Sequence, residues 1–180
     1  MPSTITNIER SAFFNTPITE FVYPQNIDNI PASAFGGTKL TEFSVPDNVK
    51  EIDDGAFYKN DNIKSIYLPD SVKKIGDEAF GDMKNLQSIR FSNSIKELDY
   101  AIFNKSKKLT TVKLPKKIQT IRGTFGGKKN CYLKKVYINA TSLKKCNLKS
   151  LPKTCKIYVK NKKVKQQVKG AGFKGKILIQ

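Results

Sequence analysis

The 180-residue sequence contains no histidine and no tryptophan. Without imidazole there is no Ser-His-Asp or Cys-His catalytic system and no metal site built on histidine. Cysteine is scarce: Cys131, Cys146 and Cys155 are the only three. An odd count gives no disulfide framework, and three thiols without a fourth ligand make a poor structural zinc site. If a pair bridges, Cys146 and Cys155 close the shortest loop involving the tail; otherwise burial leaves the thiols inert. No run of 18 apolar residues occurs, so no segment reads as a transmembrane helix. The N-terminus, MPSTITNIERSAFF, lacks the basic-then-apolar order of a signal peptide. Acidic residues are missing altogether after Asp99.

That last absence splits the chain electrically. Residues 1–100 hold 10 Lys and Arg against 15 Asp and Glu, whereas residues 101–180 hold 23 basic residues and no acid. The overall charge of +18 is therefore a mildly acidic front followed by a strongly basic rear. A dense positive field attracts polyanions. It is also what a solvated, lysine-rich surface looks like, and composition does not separate the two.

What is present is a repeat. Phe13, Phe35, Phe57, Phe80, Phe103 and Phe125 are spaced by 22, 22, 23, 23 and 22 residues. Pro24, Pro46, Pro69 and Pro115 fall on the same ruler, with Ser92 in the empty slot. The clearest unit is SVKKIGDEAFGDMKNLQSIRFSN, Ser71 to Asn93. Each unit has a V-x-x-I pair followed by A-F, as in Val72, Ile75, Ala79 and Phe80. After a polar turn comes an L-x-x-I-x-L-P alternation, as in Ile63, Ile66, Leu68 and Pro69. Period-2 alternation predicts a strand with one buried face, ended by a proline that cannot donate to a ladder. One unit cannot bury its own apolar side; stacked units can. The phenylalanines are then a packed ladder and not a binding stripe. The unit around Phe125 departs from the pattern, which predicts a displaced loop at Gly126–Cys131.

These positions resemble the BspA-like class of leucine-rich repeat, L-x-x-V-x-L-P-x-S-V-x-x-I-G-x-x-A-F, over about residues 5–138. The resemblance implies a right-handed solenoid, mainly β with short helical or irregular segments, and a parallel β-sheet on one face. It divides the chain into repeats at 1–139 and a C-terminal repeat or cap at 140–180. In that cap Ile157 and Val159 alternate as a strand, Val164 and Val168 stand i, i+4 on a short helix, and Ile177 and Ile179 alternate again. A polar cap over the last coil is what a solenoid needs. The N-terminal end shows no cap, which points to a piece of a longer surface protein or to self-association through that end.

The outward residue of each strand forms the column Val22, Ser44, Tyr67, Arg90, Lys113, Tyr137 and Tyr158. Strands about 4.8 Å apart make it one surface. Tyrosine mixed with arginine and lysine suits partner hot spots and also stacked bases with phosphates, although β-strands favour tyrosine and threonine on any account. The candidate partner-binding residues are Tyr67, Arg90, Lys113, Lys134, Lys135, Tyr137 and Tyr158. No catalytic, cofactor or metal residues are assigned: the carboxylates Glu51, Asp53, Asp54, Asp77 and Glu78 sit in turn and polar slots beside no nucleophile motif. The expected function is a non-enzymatic module that binds a protein or glycan partner through the strand face. The alternative is a polyanion binder (acidic polysaccharide, wall polymer or nucleic acid) acting through the basic half, including Lys162 and Lys163. The resemblance implies a cell-surface or secreted setting.

Overall fold

The computed structural model describes residues 5–126 and 131–180. The chain winds as a parallel-strand solenoid of about six turns. In chain order its elements are β1 (Asn29–Ile30), β2 (Glu51–Ile52), β3 (Ser65–Tyr67), β4 (Lys74–Ile75), β5 (Ser88–Arg90), β6 (Glu97–Leu98), β7 (Thr111–Leu114), β8 (Thr120–Arg122), β9 (Lys135–Ile138), β10 (Lys145–Asn147), β11 (Lys156–Val159), α1 (Lys162–Gly170) and β12 (Lys176–Ile179).

The strands fall on two sides of the coil. The L-x-x-I-x-L segments and the last strand supply a two-stranded sheet, β3-β5, and a four-stranded one, β7-β9-β11-β12, each parallel and in register. The V-x-x-I pairs build a second parallel ladder, β1-β2-β4 followed by β6-β8-β10. Each V-x-x-I pair gives only two or three strand residues, with the isoleucine or leucine turned inward. A third line of backbone bonds runs along the A-F corners, where the N–H groups of Phe13, Phe35 and Phe57 each donate to the next coil at 2.9 Å.

The core lies between these lines. Phe35, Phe57 and Phe80 are fully buried, and Phe103 and Phe125 nearly so. Successive rings from Phe13 to Phe103 stack 5.3–6.3 Å apart and within 15° of parallel. Inside the corner, the buried Asn60 amide donates to the Phe35 and Phe57 carbonyls and its oxygen accepts from Thr38, so turn carbonyls removed from water keep partners. Ser106 repeats the device by donating to the Phe80 carbonyl and accepting from the Met83 N–H.

The front carboxylates act on neighbouring coils. Asp54 accepts from the Asp77 N–H at 2.8 Å, Asp77 from the Tyr100 N–H at 2.7 Å, and Asp70 from the Asn93 N–H at 2.8 Å. A charge-assisted bond to a backbone N–H is among the stronger kinds. These acids therefore tie one coil to the next.

The first two coils differ. Their inward positions carry Phe21, Tyr23 and Phe43 where later coils carry Ile66, Leu68 and Val112. These rings pack against one another and against Phe13, Phe35 and Phe57. No strand forms at 20–23 or 42–45, and a cleft of about 650 Å³ opens there between Glu20, Val22, Glu42 and Ser44. At the other end, α1 turns Val164 and Val168 fully inward. The Asn161 side chain caps it by accepting from the Val164 N–H at 2.9 Å. The loop expected to be displaced at Gly126–Cys131 falls on residues 127–130, outside the described residues.

Candidate functional site: the outer face of the strand ladder

Alternation places every second residue of β3, β5, β7, β9, β11 and β12 outward while Ile66, Val112, Val136 and Ile157 are buried beneath. Strand pairing sets Tyr67 beside Arg90, Lys113 beside Tyr137, Tyr137 beside Tyr158, and Tyr158 beside Leu178. Of the column expected from the repeat, strand pairing shows two stretches, Tyr67–Arg90 and Lys113–Tyr137–Tyr158, while Val22 and Ser44 lie where no strand forms. Tyr67 is 54% exposed, Arg90 and Lys113 are exposed, and Tyr137 and Tyr158 are half-buried.

The half-burial has a cause. The Tyr137 and Tyr158 rings stack with centroids 4.6 Å apart and planes 12° from parallel. On the opposite side of Tyr137, the Lys113 ammonium lies 5.9 Å from the ring centroid. The Arg90 guanidinium lies 5.0 Å from the Tyr67 centroid. Both distances are within cation–π range. Both faces of Tyr137 and one face each of Tyr67 and Tyr158 are thus covered by neighbours in the column. The surface offers ring edges, phenol hydroxyls and cations. Without displacing Arg90, Lys113 or a tyrosine, a flat base has only the second faces of Tyr67 and Tyr158, two separate places and not a run of stacked platforms.

A second outward column runs beside the first. Ser65 pairs with Ser88, Thr111 with Lys135, Lys135 with Lys156, and Lys156 with Lys176. On the repeat period, Glu20 and Glu42 hold the same place in the first two coils, and both are exposed. This column changes sign along the molecule: acid, then hydroxyl, then lysine. Lys135 belongs to it. Lys134 does not; it is exposed at the corner before β9, its N–H bonded to Thr110. Lys162 and Lys163 are exposed at the start of α1 and belong to neither strand column. Lys156 and Lys176 are the residues that reading by repeats passed over. The signal was available in three segments, KVYI, KIYV and KILI, which share a leading lysine.

The charges pair elsewhere. Ion pairs join Lys50 to Asp28 at 2.8 Å, Lys74 to Glu51 at 3.5 Å, Lys84 to Asp61 at 2.7 Å, and Arg122 to Glu97 at 2.7 Å and Asp99 at 3.3 Å. Among the described residues, no lysine beyond Lys84 joins an ion pair, so the lysines of the strand face carry uncompensated charge. The bond and charge of Arg122 hold Glu97 below the usual carboxylate range, whereas burial and then Asp77 push Asp99 up in spite of Arg122.

The cysteines are free. Burial raises the Cys146 and Cys155 thiols to about 12 and raises Cys131 as well. The surrounding lysines therefore do not activate them, because desolvation of the thiolate outweighs distant, water-screened charge. Among the described residues, no cluster of three potential ligands could hold a metal ion, and no helix is long and apolar enough to cross a membrane.

Solved structures share this architecture. A leucine-rich repeat protein from Bacteroides ovatus superposes with a TM-score of 0.65 at 23% identity, over 99% of this chain and 50% of its own. The pneumococcal vaccine antigen PcpA gives 0.59 at 21%, over 99% of this chain and 40% of its own. A leucine-rich cell surface protein from Faecalibacterium prausnitzii gives 0.55 at 21%, over 99% of this chain and 52% of its own. The chain thus spans about half the length of these proteins or less, and at such identities the likeness concerns the fold. None of the curated proteins compared matches the sequence. The model of the BspA type leucine-rich repeat region matches in 6 copies over residues 29–158, most of the chain, leaving out the first coil and the closing α1 and β12. The chain belongs to the BspA-type leucine-rich repeat family.

Proposed function

We propose that this chain is a non-enzymatic interaction module of a cell-surface or secreted protein, and that it binds a protein or glycan partner through the strand face. Residues 1–139 supply the repeat surface and 140–180 close it. Tyr67, Arg90, Lys113, Lys135, Tyr137 and Tyr158 make the contact, with Lys134 at its margin. The observation that carries the reading is the outward column itself. Arg90 on Tyr67, Lys113 on Tyr137 and Tyr137 on Tyr158 hold one another in place, so little side-chain freedom remains to be lost when a partner docks. The acids nearest to a catalytic reading, Asp54 and Asp77, are occupied with backbone N–H groups. The surface setting rests on the family and on the neighbour described as a cell surface protein.

The test is binding to an immobilised panel of extracellular-matrix glycoproteins and glycans. A Tyr67→Ala/Arg90→Ser double variant should lose the contact, and Glu51→Gln with Lys74→Gln on the opposite ladder should keep it. No binding to the panel, or equal loss from both pairs, would count against the strand face. A second reading, self-association of the acidic front with the basic rear, predicts a sedimentation coefficient that falls as salt is raised.

A further inference from the structure

We propose that the strand face holds an acidic polysaccharide, gripped by Lys135, Lys156 and Lys176. This rests on the strand face being the binding surface and names what it takes. Three observations converge. The lysines come from three successive strands, β9, β11 and β12, and register places them side by side in one outward column. At strand spacing they form a row about 10 Å long. Among the described residues none of them meets a carboxylate, so no internal partner must be released before an anion binds.

The same column continues into Thr111, Ser88 and Ser65, and the adjacent column carries the Tyr67, Tyr137 and Tyr158 hydroxyls. Hydroxyls donate and accept, as sugar hydroxyls do. From Ser65 to Lys176 this surface crosses six strands, about 24 Å. It ends where the column turns acidic at Glu42 and Glu20, which repel a polyanion and fix which end of the face it uses.

Other polyanions fit less well. Single-stranded nucleic acid gains its sequence-independent affinity from successive bases stacked on open aromatic faces, and here Arg90, Lys113 and the Tyr137–Tyr158 stack cover four of the six faces of Tyr67, Tyr137 and Tyr158, leaving no run of open platforms. An acidic peptide brings backbone N–H and C=O groups that need partners. The backbone of β9 and β11 is spent on both sides within the ladder, so the face offers a peptide only side chains.

The experiment uses the whole chain and four probes: heparin, polygalacturonate, a single-stranded oligothymidylate and polyglutamate. Affinity is measured at several salt concentrations. Lys135→Glu/Lys156→Glu/Lys176→Glu is compared with Lys96→Glu/Lys117→Glu/Lys144→Glu, which makes the same change in net charge away from the strand face. The expected result is binding to one or both polysaccharides, a loss of about tenfold or more with the first triple variant, and a markedly smaller loss with the second. Circular dichroism of both variants confirms that they are folded. Single reversals at Lys135 and Lys156 serve if a triple variant is not. Equal losses in the two variants would make the attraction diffuse and overturn the proposal. So would tighter binding of the oligothymidylate or polyglutamate, or no polysaccharide binding. If polysaccharide binding fails while a matrix partner is still lost with Tyr67→Ala/Arg90→Ser, only this inference falls and the strand-face reading stands.

Discussion

Each of the five coils from Phe13 to Phe103 contains two residues in the left-handed region, and most are not glycine. Ser11, Ser33, Gly55, Glu78 and Ala101 form one series, and Asn15, Gly37, Lys59, Asp82 and Lys105 form the other, all with φ between +52° and +69°. They flank the A-F corner and turn the chain so that its N–H groups reach the next coil. A side chain at such a φ costs about 1–2 kcal/mol. Replacing Lys105, exposed and at φ +61°, with glycine removes that strain. It also gives the unfolded chain more freedom, worth about 0.5–1 kcal/mol in the other direction. Lys105→Gly should therefore stabilise by about 0.5–1 kcal/mol. Gly37→Ala should do the opposite. Its φ is +69°, and an added Cβ would lie 2.1 Å from Asn15 Oδ1, so Asn15 must move as well. The loss should be at least about 1–2 kcal/mol. Gly170→Ala, at the end of α1 with nothing within 4 Å of a Cβ, is the control and should gain about 0.5–1 kcal/mol. Each kcal/mol corresponds to about 2–4 °C in Tm for a chain of this size. Thermal and urea unfolding followed by circular dichroism read all three. A Lys105→Gly variant that melts below the parent, or a Gly37→Ala variant that melts with it, would refute the argument.

Phe80→Ala removes a fully buried ring stacked on Phe57 at 5.8 Å and Phe103 at 6.3 Å, and should cost about 3–5 kcal/mol. Phe13→Ala, half-buried at the end of the ladder, should cost clearly less in the same urea titration; equal losses would contradict a stacked core. The bonds to Lys50 and Arg122 hold Asp28 and Glu97 below their ordinary values of 3.8 and 4.5. Their stabilisation is complete above those values and is lost as pH falls through the lowered ones. Glu97→Gln should accordingly lower the urea midpoint at pH 7, and the gap to the parent should narrow as pH falls below 4.5; a gap that stays constant would show that the ion pair is not the cause. Cys155, fully buried with its thiol pushed up to about 12, should react with a thiol reagent at pH 8 far more slowly in the folded chain than in denaturant and more slowly than the part-exposed Cys146, and rapid native labelling of Cys155 would contradict its burial.

The spacing of Phe13 through Phe125 was enough to identify the coil, because a period held over six units places equivalent side chains in equivalent environments. The outward positions from Tyr67 to Tyr158 followed from the same period combined with the two-residue repeat of a strand, which the first two coils, at Val22 and Ser44, do not form. The tail was equally legible: Val164 and Val168, four apart, are the two residues that α1 buries. Other features depended on contacts between residues far apart in the chain. A V-x-x-I pair is too short to announce a strand, and it becomes one only when β1, β2 and β4 lie side by side. Left-handed backbone at Ser33 or Glu78 leaves no mark in residue type, since the next coil enforces it. Asp54 and Asp77 read as surface acids until the coil beyond supplies an N–H. The leading lysines of KVYI, KIYV and KILI were legible, but that Lys135, Lys156 and Lys176 stand side by side was decided by strand register. Whether a tyrosine face is open or covered was decided by the neighbour one coil away. Composition and period reach as far as the single coil; the pairing of coils, which sets who stands beside whom, belongs to the folded stack.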